Sequence, residues 1–240
     1  HCLNMRFYGS AMPFPHIQGA FRERLVASAY QCAPTGSLSL GEAAMAEPLA
    51  VVLHRVRRAG EMVGKKVLIT GCGPIGMLCL LAARRAGAVE IVMTDIAESA
   101  LANARDCGAD RVINTKDEPE LLAVYGDDKG YFDVMFECTG AAPALIGGLT
   151  AVRPRAVIVQ LGMGGDMSLP MVMVTAKELD LRGSFRFHEE FAIGIALMGQ
   201  GLIDVKPLIS HTVPLADAEQ AFMIATDPLQ PSLKTQIQFF

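Results

Sequence analysis

Short apolar runs alternate with longer mixed segments through the middle of the chain. A strand buried on both faces is apolar without interruption, whereas a half-buried one alternates. On that basis 67–70, 90–94, 132–137 and 156–160 read as interior strands, with shorter or more polar runs at 111–114 and 179–185. The intervening segments 75–86, 98–107, 119–125 and 142–149 carry helical periodicity, and Gly87 and Gly108 stand where a helix ends in a left-handed residue. Strands and helices alternating at this spacing predict an α/β fold, a Rossmann-type doubly wound parallel sheet of about six strands.

The flanks read differently. Residues 1–40 offer short extended stretches at 19–21, 23–27 and 32–34, broken by turns, as in the end of a β domain. The chain opens in mid-pattern without an initiator methionine, so an N-terminal portion is expected to be absent. Ser39 and Glu42 make a capping box for a short helix that leads to Glu47 and Pro48, and 49–59 reads as a second helix. Beyond the sheet, 189–199 is helical, 209–213 extended, 215–226 helical and 234–239 a strand, which we read as a return to the first domain. The expected division is 1–47, 48–187 and 188–240.

Composition narrows the function. With 240 residues, 51% of them hydrophobic, the chain can bury a sizeable core. A net charge of −4 without a basic run argues against nucleic acid or an anionic membrane as partner. No apolar run reaches the roughly 18 residues of a membrane span, and no signal segment opens the chain, so a cytoplasmic protein acting on a small molecule is expected. The six cysteines form no C-x-x-C pair and read mostly as buried thiols in a reducing compartment.

Chemistry concentrates after 67–70. Gly71 permits a tight turn from strand to helix, Gly73 lets a pyrophosphate approach bare backbone, and Gly76 lets the helix pack close to the strand. The next strand ends at Asp95, nineteen residues past Gly76, where an acid meets an adenosine ribose diol. A carboxylate repels a 2′-phosphate and Ile96 and Ala97 bring no cation, so NAD is expected over NADP. A glycine motif alone would equally serve a structural βαβ turn in which Asp95 merely caps the next helix. His16, His54, His188 and His211 show no metal-ligand spacing and read as surface or packed histidines. Met163, Met167, Met171 and Met173 read as core or interface filling.

Taken together, Gly19-Ala20-Phe21, Glu47-Pro48-Leu49 with Leu53-His54, Gly71-Cys72-Gly73-Pro74-Ile75-Gly76, Asp95, Gly108-Ala109-Asp110, Glu137-Cys138-Thr139-Gly140 and Gly183-Ser184-Phe185-Arg186 resemble the zinc-dependent medium-chain dehydrogenase/reductase superfamily, in its polyol dehydrogenase branch. The resemblance implies that the flanks belong to a GroES-like β catalytic domain. It also implies hydride transfer to NAD⁺ from a secondary alcohol of a sugar acid or polyol, L-idonate going to 5-keto-D-gluconate being the best fit, with Zn²⁺ as Lewis acid. It assigns cofactor contacts to Gly71, Gly73, Pro74, Ile75, Gly76, Asp95, Cys138, Thr139, Gly140, Leu161, Gly162, Ser184 and Phe185. Glu47 is expected to face the zinc and Arg186 the substrate. The family's Cys ligand and His-Glu pair have no counterpart here, and Cys2 resembles one member of a four-cysteine structural zinc lobe, so the chain alone is expected to be silent. A homodimer or homotetramer is expected, with 179–185 as an exposed edge strand. The competing readings are a zinc-free NAD(P)-dependent reductase of the same superfamily and a non-catalytic NAD-binding protein.

Overall fold

A computed structural model describes residues 3–227 and 232–239. Cys2 lies outside them. In chain order the elements are α1 (Leu40–Ala44), α2 (Ala46–Ala59), β1 (Lys66–Thr70), α3 (Pro74–Arg85), β2 (Glu90–Asp95), α4 (Glu98–Asp106), β3 (Arg111–Asn114), α5 (Glu120–Ala123), β4 (Phe132–Glu137), α6 (Ala142–Ala151), β5 (Val152–Gln160), α7 (Met171–Ala176), β6 (Asp180–Gly183), α8 (Glu190–Gly199), β7 (Ile209–Pro214), α9 (Ala218–Thr226) and β8 (Lys234–Gln238).

Six parallel strands run in the order β3-β2-β1-β4-β5-β6, so the chain winds outward from β1 in one direction and resumes at β4 in the other. Successive side chains along a strand point to opposite faces, and two apolar layers follow. Val67, Ile69, Ile91, Met93 and Phe136 pack under α2, α3, α4 and α8, while Leu68, Val92, Met135 and Ile158 pack under α5 and α6. The interior strands are buried on both faces, which is why their sequences run apolar without alternation.

Pro48 does not start a new helix. It stands in the first turn of α2, where amide hydrogens lack intrahelical acceptors and a missing donor costs nothing. The capping box forms as expected, with Ser39 accepting from the Glu42 amide and Glu42 from the Ser39 amide. Before α1 the expected strands are missing: among the described residues 3–39 hold one short 3₁₀ turn, Ala29–Gln31. A strand is stable only against a ladder partner, and this segment has just an isolated exchange between Gly9–Ser10 and Ile17–Gln18. Of the described cysteines Cys72 and Cys79 are buried and Cys107 and Cys138 half-buried, while Cys32 is the exposed exception. Helix α7 is unforeseen, and Met171 and Met163 are exposed, while Met167 and Met173 pack on the second core layer.

The tail approaches the first residues. Phe21 stacks edge-on with Phe239 at 5.2 Å, and the Gln236 amide donates to the Gly41 carbonyl at 2.9 Å. Strand β8 pairs with β7 in a separate two-stranded sheet. Helix α8 instead packs on α2, with Gly194 against Leu49 and Leu53, and Met198, Ile203, Val205 and Leu208 belong to the first core layer.

Candidate active site

The turn after β1 is built by steric necessity. Gly71 has φ +91°, a left-handed conformation that a side chain would strain, and its amide donates to Thr94 O at 2.7 Å. A Cβ on Gly76 would collide with the Gly71 carbonyl, so that glycine lets α3 start directly against the turn. Gly73 is exposed and has open space where a Cβ would stand, so its backbone is available for close approach. Pro74 follows at the first helical position, and no side chain caps the α3 amides, which point outward from the positive end of the helix with Ile75 beside them.

Asp95 ends β2 half-buried. Its Oδ2 accepts from the Cys72 amide at 2.7 Å, and Oδ1 accepts from the Ile96 and Ala97 amides at 2.7 and 3.0 Å. The carboxylate thus splints the glycine turn as well as standing at its rim. Both readings of this residue meet in one side chain, since it caps the turn before α4 and also faces a cavity of about 450 Å³. That cavity, lined by Ile96, Thr115, Pro119, Leu122 and Pro143 among others, is largely apolar and has no cation in its wall.

On the other side of β1 the ends of β4 and β5 interlock. Gly140 has φ +72°, and a Cβ on Gly162 would strike the Gly140 amide, so the loops at 139–140 and 162–164 touch backbone to backbone. Glu137 ties them together and is fully buried. Its carboxylate accepts from the Thr139 amide at 2.8 Å, from the Thr139 hydroxyl, from the Gly140 amide at 3.0 Å and from the Gln160 amide group at 2.7 Å. Its carbonyl accepts from the Leu161 and Gly162 amides at 2.9 and 3.0 Å. All of these donors are neutral. Neither Glu137 nor Gln160 stood out from sequence as a site residue, because a buried carboxylate held by amides has no local signature.

Cys138 lies beneath this edge with its Sγ 3.8 Å from that of Cys79. That contact and burial push the Cys138 thiol well up, and burial with the charge of Asp95 does the same for Cys72, so neither is a nucleophile. Arg55 is 7% exposed, burial lowers the pKa of its guanidinium, and its Nε has no partner. Sequence reasoning missed it.

At the ends of β5 and β6 a cavity of about 530 Å³ is lined by His54, Arg58, Gln160, Gly162, Ser184 and Phe185, among others. Gln160 Oε1 and Ser184 Oγ are buried without partners behind its wall. Next to it, a cavity of about 400 Å³ holds Arg186 with Met5, Arg57 and Glu190. Arg186 has φ +62°, its guanidinium lies 4.1 Å over the Phe7 ring and 5.0 Å over that of Phe185, and its Nε is also buried unpartnered. Glu190 is 3% exposed. Burial raises its pKa, but the His188 amide at 2.9 Å, its own amide and His54 at 3.1 Å outweigh that and bring it to about 2. His54 therefore has a partner.

Glu47 lies exposed in the first turn of α2. Among the described residues no three His, Cys, Asp or Glu side chains converge as metal ligands, and a protein zinc site takes about three. The described residues therefore do not fit a zinc ion, and Glu47 alone cannot hold one.

Comparison with known proteins bears on this geometry. Residues 74–200 match the family described as zinc-binding dehydrogenase. The chain is 40% identical to the L-idonate 5-dehydrogenase (NAD(P)(+)) of Escherichia coli (strain K12), over 99% of this chain and 69% of that protein. It is 37% identical to the sorbitol dehydrogenase of Ovis aries over 78% of this chain, and spans about half, 54%, of that protein. The crystal structure of L-idonate 5-dehydrogenase from Escherichia coli str. K-12 substr. MG1655 superposes with a TM-score of 0.94, covering 99% of this chain and 68% of the other.

Proposed function

The chain belongs to the zinc-binding dehydrogenase family, and from that premise we propose that it binds NAD along the C-terminal edge of its sheet, in a protein that oxidises a secondary alcohol of a sugar acid or polyol, L-idonate to 5-keto-D-gluconate fitting best. The observation that carries the reading is the line of features along that edge: the open Gly73 backbone at the β1–α3 turn, Asp95 and an apolar cavity on one side, and the cavity at the ends of β5 and β6 on the other. A dinucleotide in a doubly wound sheet lies across the switch point, here between β1 and β4. The adenosine half falls to Asp95 and the cavity beside it, the pyrophosphate to Gly71, Gly73, Pro74, Ile75 and Gly76. The nicotinamide half falls to Cys138, Thr139, Gly140, Leu161, Gly162, Ser184 and Phe185. NAD is the preferred form, because the cavity wall at Asp95 brings no cation to a 2′-phosphate. The relative from Escherichia coli carries both NAD and NADP in its name, so this preference needs its own measurement.

When bound, NAD⁺ supplies the hydride acceptor. Arg186 is proposed to face the substrate, where a guanidinium pairs bidentately with a sugar-acid carboxylate. Its place in the wall of the 400 Å³ cavity supports this, and its seat on Phe7 holds the planar head in place. Glu47 is proposed to belong to the zinc environment of the whole protein. The division at 47 and 187 stands within this proposal, with α8 sharing the core of the dinucleotide-binding unit. Calorimetry with NADH and NADPH, followed by NADH formation on a panel of L-idonate, sorbitol and xylitol, tests the reading. Failure to bind NADH would end it, and binding without turnover on any alcohol would leave a dinucleotide-binding protein.

A homodimer or tetramer is part of the proposal. Strand β6 ends the sheet with Leu181 41% exposed, and an open edge of this kind pairs readily with a second copy. Sedimentation showing a monomer at micromolar concentration would remove it. A cytoplasmic location is likewise proposed, supported by the absence among the described residues of any helix long and apolar enough to cross a membrane, and cell fractionation tests it.

A further inference from the structure

Two sulfurs from distant parts of the chain meet beside the glycine turn. Cys79 stands in the second turn of α3 and is fully buried, while Cys138 follows β4 and is half-buried. Cys138 Sγ donates to Cys79 Sγ across 3.8 Å, although 59 positions separate the two residues. The charges around the pair differ from one sulfur to the other. Burial lowers the pKa of the Arg55 guanidinium, and Cys79 comes first among the groups that oppose this, ahead of Cys138 and Glu47. Arg55 is 7% exposed, its Nε is sealed, and its side chain makes no hydrogen bond to any described residue. A buried cation without a counter-ion favours negative charge on its neighbour. Cys138 instead follows the buried Glu137 carboxylate, whose charge adds to the contact with Cys79 and to burial in keeping that thiol protonated. The Arg55 cation and the Cys138 S–H thus both support negative charge on the Cys79 sulfur.

We propose that Cys79 and Cys138 form a reversible disulfide with a hydroperoxide as oxidant, Cys79 being the attacking sulfur and Cys138 the resolving one. In the first step an S–O bond forms between Cys79 and one peroxide oxygen, the O–O bond breaks, and the departing oxygen takes the thiol proton to leave as water. Cys138 Sγ then displaces the hydroxyl of the resulting sulfenic acid, and its own proton leaves with that oxygen as a second water. Two thiols lose two electrons and one peroxide gains them. A disulfide is about 2 Å long, so side-chain torsions have to close the gap by less than about 2 Å. In a reducing compartment the bond is transient and is reopened by thiols. None of this depends on the NAD reading.

Hydrogen peroxide added to the folded, reduced chain at neutral pH, followed by alkylation and tryptic mapping without reductant, tests the pair. We expect peptide 67–84 linked to peptide 130–155, two hydrogens lighter than their sum, and the link lost on adding dithiothreitol. Cys72 shares the first of these peptides, so Cys72→Ala should keep the link and Cys79→Ala abolish it. Arg55→Leu should slow link formation by roughly tenfold, the effect of about one pKa unit on the attacking thiolate, and Arg55→Lys should restore most of the rate. No link in the folded chain, a link that survives Cys79→Ala, or an Arg55→Leu rate equal to that of the unsubstituted chain would overturn the proposal.

Discussion

The two edges of the central sheet satisfy their polar groups in opposite ways. At the edge where the strands begin, every named charge has found a partner. The Arg84 guanidinium donates to the Gly108 carbonyl at 3.2 Å and to Asp110 at 2.5 Å, and the Tyr131 hydroxyl donates to Glu90 at 2.6 Å with the Lys66 ammonium over its ring. Asp133 accepts from the Lys66 amide at 2.8 Å and pairs with Arg153 at 2.5 Å. The Lys177 ammonium donates to the Leu149, Thr150 and Val152 carbonyls at 3.0, 2.7 and 2.8 Å, stitching the end of α6 to the start of β5. At the edge where the strands end, Gln160, Ser184 and Arg186 keep buried polar atoms without partners, and α3 opens uncapped. Unpaired buried groups cost stability, and three of the five such atoms among the described residues lie at this edge, where the proposed function places the cofactor.

The contrast makes separable predictions. The largest effect should come from the glycine turn. Gly76→Ala forces a methyl group into the Gly71 carbonyl, and denaturant unfolding should show a loss of about 3 kcal/mol or more, or no folded protein. Gly73→Ala, three residues earlier, meets open space, so stability should stay within about 0.5 kcal/mol while NADH affinity falls by roughly tenfold or more. If both variants behave alike, the turn is only structural. Next is Lys177→Met at the opposite edge, which strands three carbonyls at the α6–β5 junction. We expect about 2 kcal/mol lower stability with an unchanged dissociation constant for NADH. A weakened NADH complex there would erase the distinction between the edges.

A smaller change is expected at Asp95, which serves both the turn and the proposed ribose. Asp95→Ala should weaken NADH by about tenfold, near 1.4 kcal/mol, and bring NADPH closer to it. Wild-type protein binding both dinucleotides equally would remove the selectivity from this residue. The smallest effect concerns Glu190, which joins α8 to His54 on α2. Its pKa falls from 4.5 to about 2 on folding, below the unfolded value, so its contribution is complete above about pH 4.5 and is lost as pH falls through 2. Glu190→Gln should cost about 1 kcal/mol at neutral pH, and the gap to the wild type should close on acidification to pH 2. A gap independent of pH would show that charge has no part in it.

Sequence by itself determined the sheet and the turn that organises it. Uninterrupted apolar runs are a local record of burial on two faces, and Gly71, Gly73, Gly76 and Asp95 are legible because their tasks act within one βαβ unit. Element ends shifted by a residue or two, as when α2 absorbed Pro48, because a first helical turn tolerates what its interior does not. Residues 19–34 carry extended patterns yet form no strand among the described residues, since a ladder needs a partner that adjacent residues do not supply. Tertiary structure alone decided the rest. Glu137 reaches Gln160 from 23 positions away and His54 meets Glu190 across 136, so no window of sequence contains either pair. Their hydrogen bonds exist only because β4 lies beside β5 and α2 beside α8, and burial then makes each bond strong enough to orient what it holds.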